Sequence, residues 1–98
     1  MDKLTKEHIR KAGYVIKGFS NSERLKIISL LQKGEMTAAT LTINLNVGKR
    51  ETLRHLKHLI AIKVVKKERK HINLRTYRYI LDSKTYERYL RHIKKICA

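Results

Sequence analysis

Apolar residues recur along this chain at two spacings, and the points where the spacing changes divide it into elements. Ile9, Ala12, Gly13 and Ile16 fall on one helical stripe, predicting a first helix from a cap at Thr5 to about Lys17, with Gly18 as its stop. Ser20-Asn21-Ser22-Glu23 has the order of a capping box, in which Ser20 and Glu23 satisfy each other's free backbone amides. The helix it opens carries Leu25, Ile27, Ile28, Leu30 and Leu31, apolar on most sides and therefore expected to be buried, and Gly34 ends it. Thr37 caps a third helix through Ala38, Ala39 and Leu41 to about Leu45. A fourth runs from Gly48 to about Ala61. At about 100° per residue, Thr52, Leu53, Leu56, Leu59 and Ile60 gather on its packing side and Arg50, Arg54 and Lys57 on the opposite one.

From Val64 the period drops to two. Thr76-Tyr77-Arg78-Tyr79-Ile80-Leu81 alternates, with Tyr77, Tyr79 and Leu81 on one face and Thr76, Arg78 and Ile80 on the other. Its partner strand covers about 64–70, and His71 to Leu74 form the tip. Asp82 or Ser83 then caps a last helix whose Tyr86, Tyr89, Leu90, Ile93, Ile96 and Cys97 share an arc about 120° wide. The predicted order is ααααββα, an α+β fold in one domain spanning 1–98. A helix, a tight turn at Asn46-Val47-Gly48, a basic helix and a two-stranded hairpin describe a winged helix-turn-helix, whose second helix fits a DNA major groove.

Charge strengthens that reading. Twenty-four Lys and Arg face eight Asp and Glu, a formal +16. Between Lys49 and Arg78, eleven cations are opposed only by Glu51 and Glu68, so +9 of that excess is concentrated there. Such a balance calls for a polyanionic partner. A membrane-binding helix would stand free with bulky apolar residues, whereas these cations are spread over a helix and two strands, so DNA fits better than lipid. No apolar run approaches the roughly 18 residues of a membrane span, and the N-terminus lacks an apolar signal core, which predicts a cytoplasmic protein. The lone Cys97 excludes an intrachain disulfide and a zinc-finger ligand set.

Among the cations, Arg50 and Arg54 are the better base readers, because a guanidinium binds guanine N7 and O6 bidentately. Lys49 and Lys57 suit phosphate. Lys66, Lys67, Arg69, Lys70 and Arg75 suit phosphate or the minor groove from the wing. His55 and His58, three apart on a helix with no third ligand nearby, do not make a metal site, and His55 is expected at the border of the packed face. The Tyr77/Tyr79 and Tyr86/Tyr89 pairs read as core or interface. The serines form no triad, and neither a Gly-rich phosphate loop nor paired carboxylates are present, so no catalysis and no cofactor are expected.

Phe19 to Leu31, with Arg24-Leu25-Lys26-Ile27-Ile28 at its centre, resembles the opening helix of ArsR-like winged-helix regulators. Leu41-x3-Leu45-x-Val47 followed by Arg54-His55-Leu56-Lys57-x-Leu59 resembles their helix-turn-helix, and Val64-Val65 with Tyr77 to Leu81 resembles their wing. The resemblance covers 19–81 and implies a homodimeric DNA-binding regulator, with the flanking 1–18 and 82–98 as dimerisation helices. The contact residues would then be Ile9, Ile16, Tyr86, Tyr89, Leu90, Ile93, Ile96 and Cys97. By position, Gly48, Lys49, Arg50, Leu53 and Arg54 would face the groove. Leu53 either touches thymine methyl groups or forms the edge of the packing stripe. Lys63 stands where such regulators commonly have Gly at a helix end, and a left-handed Lys there would cost about 1 kcal/mol. The wing tip lacks Gly, which leaves Asn73 to accept a positive φ. The third helix has no thiol and the last offers His92 without a matching ligand set, so no metal-responsive switch is implied. Small winged-helix proteins of archaeal viruses are similar in size. The expected function is sequence-specific regulation of transcription from double-stranded DNA, as a repressor. The alternatives are an architectural protein that coats DNA without sequence choice, and an adaptor that binds protein through the same fold.

Overall fold

Two helices, a two-residue strand, two more helices, a hairpin and a closing helix follow one another in the computed structural model, which describes residues 6–69 and 76–97. They are α1 (Lys6–Phe19), α2 (Ser22–Leu31), β1 (Met36–Thr37), α3 (Ala38–Leu45), α4 (Lys49–Ala61), β2 (Val65–Arg69), β3 (Tyr77–Leu81) and α5 (Ser83–Cys97). The predicted ααααββα order holds, with one short strand added. β1 pairs antiparallel with β3 through Met36 and Tyr79, and β3 pairs antiparallel with β2, giving a sheet of order β1-β3-β2. This is a winged helix-turn-helix.

Ile27, Ile28 and Leu31 of α2 meet Leu41 and Leu45 of α3, Leu56 and Leu59 of α4, and Val64, Val65 and Tyr79 at the sheet. Each fully buried aliphatic side chain stabilises the fold by about 1.5–3 kcal/mol relative to exposure. The face of β3 carrying Tyr77, Tyr79 and Leu81 packs on this core, as the alternation predicts.

Several local expectations change. α1 runs through Gly18 to Phe19, because Gly18 is a point of close approach: a Cβ there would lie 2.8 Å from Ile62 Cδ1 and 3.3 Å from His58 Cδ2. Val15 and Gly18 face the core, while Ala12, Gly13 and Ile16 of the predicted stripe stay exposed. Asn21, not Ser20, caps α2, its Oδ1 accepting from the amides of Glu23 (2.9 Å) and Arg24 (3.2 Å). Ser20 Oγ turns back and donates to Lys17 O. Leu25 is 45% exposed, so α2 is buried on one side only. On α4, His55 takes the packing position and Leu53 lies 40% exposed. Thr37 and Asp82 cap as expected, Thr37 Oγ1 accepting from the Thr40 amide and Asp82 Oδ1 from the Thr85 amide. Thr5, the wing tip from His71 to Leu74 and its Asn73 lie outside the described residues.

Two corners bend through left-handed residues. Asn46 (φ 56°) ends α3, its amide returning to Thr42 O at 3.0 Å. Lys63 (φ 66°) ends α4 in a Schellman arrangement, with Lys63 N to Ile60 O at 2.9 Å and Val64 N to Leu59 O at 3.1 Å. Asn tolerates this conformation and Lys does not, so the strain anticipated at Lys63 is present. Lys63→Gly should raise the stability measured by urea unfolding by about 0.5–1 kcal/mol, and the β-branched Lys63→Val should lower it by about 1 kcal/mol or more.

Candidate nucleic-acid interface

α4 places its cations by phase. Thr52, His55, Leu56 and Leu59 are buried, which turns Lys49, Arg50, Leu53, Arg54 and Lys57 to solvent, and Gly48 caps the helix with extended backbone and no side chain of its own. Arg54 donates to Glu51 Oε1 at 2.6 Å while its side chain remains 69% exposed. An exposed pair of this kind is worth little, so the guanidinium can exchange that carboxylate for another acceptor.

The wing lies beside the start of this helix. Lys49 and Leu53 of α4 share a cleft of about 600 Å³ with Lys67 of β2, Tyr77 and Tyr79 of β3 and the adjoining Thr76. Strand register assigns the wing's cations to two faces. Lys67 pairs with Tyr79 and Arg69 with Tyr77, so both lie on the face that lines the cleft. Lys67 Nζ sits 4.2 Å from the centre of the Tyr77 ring, and Arg69 donates to Tyr77 Oη at 3.3 Å. That hydrogen bond, helped by the charges of Arg69 and Lys67, holds the Tyr77 phenol below its ordinary pKa. Lys66 falls on the opposite face, 3.6 Å from Asp82 Oδ2, and is not brought to the cleft. Lys70 and Arg75 lie outside the described residues.

Sequence reasoning missed the other wall of the cleft, made by Thr37, Ala38, Ala39, Thr42 and Ile43. A signal was present: Ile43 lies two residues from both Leu41 and Leu45, the buried pair, and so on the opposite side of α3. It is 79% exposed.

On α5, Tyr86, Tyr89, Leu90 and Ile93 are half-buried, and both tyrosines already have partners within the chain. They meet Phe19 edge to face at 5.9 and 6.2 Å, and Tyr89 Oη donates to Ile62 O at 3.0 Å. Ile16 on α1 is 43% exposed. The side chains of Ile9, Ile96 and Cys97 lie outside what is described.

Behind α4, Arg24 joins three helices. It donates to Gly18 O (3.1 Å) and Lys17 O (3.0 Å), two carbonyls of the last turn of α1, and lies 3.4 Å from His55 Nδ1. Because guanidinium only donates, Nδ1 must accept and His55 must be neutral there. Burial, then the charges of Arg24 and Arg54, lower the His55 pKa. His58 stacks on Tyr14 with ring centres 4.5 Å apart, and burial lowers its pKa as well, against a raising hydrogen bond to Tyr14 O. Among the described residues no group of three His, Cys, Asp or Glu side chains could hold a metal ion, and no helix is long and apolar enough to cross a membrane.

No family model and no curated protein sequence matches this chain. Solved structures with the same fold do. NolR from Sinorhizobium fredii is 24% identical with a TM-score of 0.75, covering 98% of this chain and 96% of its own. A homodimeric winged helix-turn-helix DNA-binding domain from Mycobacterium bovis, described as a possible ArsR-family transcriptional regulator, is 16% identical with a TM-score of 0.76 over 99% and 87%. HlyU from Vibrio cholerae is 20% identical with a TM-score of 0.70 over 96% and 100%. The winged helix-turn-helix anticipated from the residues is thus the fold that the chain shares with these solved structures.

The two histidines of α4 set a pH response. Both folded-state pKa values lie below the ordinary 6.5, so the unfolded chain takes up protons first, and stability present above about pH 6.5 is lost as pH falls below it. Urea midpoints should fall between about pH 7.5 and about pH 5.5, and His55→Gln should flatten that dependence.

Proposed function

We propose that this protein is a homodimeric, sequence-specific DNA-binding regulator that places α4 in the major groove and grips the flanking backbone with the wing. The observation that carries the reading is the shared cleft: Lys49 at the start of α4 and Lys67 of the wing border one concave surface, and Arg50, Arg54 and Lys57 are exposed on the same helix. Arg50 and Arg54 read base edges, Lys49 and Lys57 bind phosphate, and Lys67 and Arg69 meet the backbone beside the groove. Lys70 and Arg75 extend the basic wing in sequence. Lys66, held by Asp82 on the far face, contributes to the general field and makes no direct contact. Two copies joined through α1 and α5 set two recognition helices about 34 Å apart, one turn of duplex, and so select near-palindromic sites. Occupying such a site at a promoter represses transcription.

The DNA-binding domain from Mycobacterium bovis is homodimeric, which supports the same assembly here. Residues 19–81 then form the DNA-binding core, with 1–18 and 82–98 joining the copies. Ile16, Leu90 and Ile93 are the described side chains left for that contact, since Tyr86 and Tyr89 are engaged within the chain.

Gel shifts and titrations on duplexes selected from a random pool test the reading. If a dimer neutralises about ten phosphates, log affinity should fall against log salt with a slope near −9, and a slope near zero refutes DNA binding. Preference for the selected site over random duplex should reach roughly 10³-fold; equal affinities would favour an architectural coat. Arg54→Ala should relax sequence preference, whereas Lys67→Ala should weaken all duplexes alike. For assembly, Ile93→Glu should give monomers by light scattering and lower DNA affinity at least roughly tenfold. A dimer that survives it is not built on α5.

A further inference from the structure

The cleft between α3, α4 and the wing is basic at its rim and apolar where α3 and α4 meet. Ile43 is 79% exposed and Leu53 40% exposed, and both line it together with Ala39. Neither serves the core, and two large aliphatic side chains left in water at one spot are unusual when their neighbours are cations. Their relative position is fixed. Thr42, beside Ile43, donates a hydroxyl hydrogen bond of 2.9 Å to Thr52, beside Leu53, and Thr52 in turn donates to Gly48 O at 3.1 Å. Thr52, at the centre of this link, is fully buried.

Resting on the DNA-binding reading above, we infer that Ile43 and Leu53 form a preset apolar reader of thymine C5-methyl groups in the major groove. The methyl is the one apolar group that a base pair presents there, and it distinguishes thymine from cytosine on the same edge. Leu53 occupies the second turn of α4, between the exposed Arg50 and Arg54, where a groove-bound helix faces base edges. Lys49 and Lys67 flank the apolar pair and suit the phosphates on either side of the groove. The arginines read guanine and the aliphatic pair reads thymine, so the preferred site contains both.

Removing methyl groups from the DNA tests this without altering the protein. Starting from a duplex selected by the full chain, each dT is replaced in turn by dU, which deletes only the C5-methyl. Affinity should fall about fourfold at one or more positions, the equivalent of one buried methylene, and be unchanged at the rest. The same replacements should cost nothing to an Ile43→Ser, Leu53→Ala double variant, which touches no core residue. Indifference of the unaltered chain to every dU, or a methyl dependence that persists in the double variant, overturns the inference while leaving DNA binding intact. Loss of duplex binding by the double variant to all sequences alike would also overturn it, by making the pair a general contact and not a reader. If the unaltered chain binds no duplex at all, the DNA reading itself falls.

Discussion

Thr42 donates its hydroxyl to Thr52, and Thr52 donates its own to the Gly48 carbonyl, so three residues across the α3–α4 corner share one chain of hydrogen bonds with the buried Thr52 at its centre. Everything the exposed face presents depends on that corner. Asn46 supplies the left-handed turn, and the threonines hold the angle it creates. Such bonds contribute only about 0.5–1.5 kcal/mol each, but an orphaned buried hydroxyl costs about 1–3 kcal/mol. The chain therefore specifies direction more than it adds stability. Rotate α4 about this corner and Lys49 no longer shares a cleft with Lys67 and Tyr77.

A second set of links holds the back of α4. Arg24 closes the end of α1 and approaches His55, Gly18 admits Ile62 and His58 closely, and Tyr14 stacks on His58. The arginine that the sequence offers as part of a family resemblance thus has a local chemical task, donating to two carbonyls of the last turn of α1. α5 is fastened to the end of the same helix by the Tyr89 hydroxyl on Ile62 O.

Long elements with a strong period were legible. The cationic arc of Arg50, Arg54 and Lys57, the alternation from Tyr77 to Leu81 and the caps at Thr37 and Asp82 all follow from spacing and side-chain chemistry. Short or ambiguous features were not. Two residues of β1 cannot display a period, and only pairing with β3 defines them. In α1 two stripes compete, Ile9-Ala12-Gly13-Ile16 and Val15-Gly18-Phe19, and small residues carry too little hydrophobicity to decide which meets the core. Ser20, Asn21 and Ser22 are all competent caps, and chain direction chose Asn21. His55, expected at the border of the packed face, lies fully inside it, where Arg24 gives the imidazole a polar neighbour, while Leu53, open between packing edge and base contact, lies partly exposed in the cleft. Which wing cations stand together needed the β2–β3 register, which separates Lys66 from Lys67.

On the far side of the sheet, Arg78 lies between two carboxylates, Glu35 ahead of β1 (3.0 Å) and Glu68 of β2 (3.2 Å). The hydrogen bond it donates to Glu68 and the charge of Glu35 make its guanidinium harder still to deprotonate. Lys66 is likewise occupied by Asp82. The hairpin is therefore electrically two-sided: its rear pairs Arg78 and Lys66 with Glu35, Glu68 and Asp82, and Lys67 lies on the front over the Tyr77 ring. A chain so rich in cations would otherwise attract a polyanion from every direction. Quenching one side gives the blade a polarity, so that a misaligned encounter experiences a torque that swings the cleft forward.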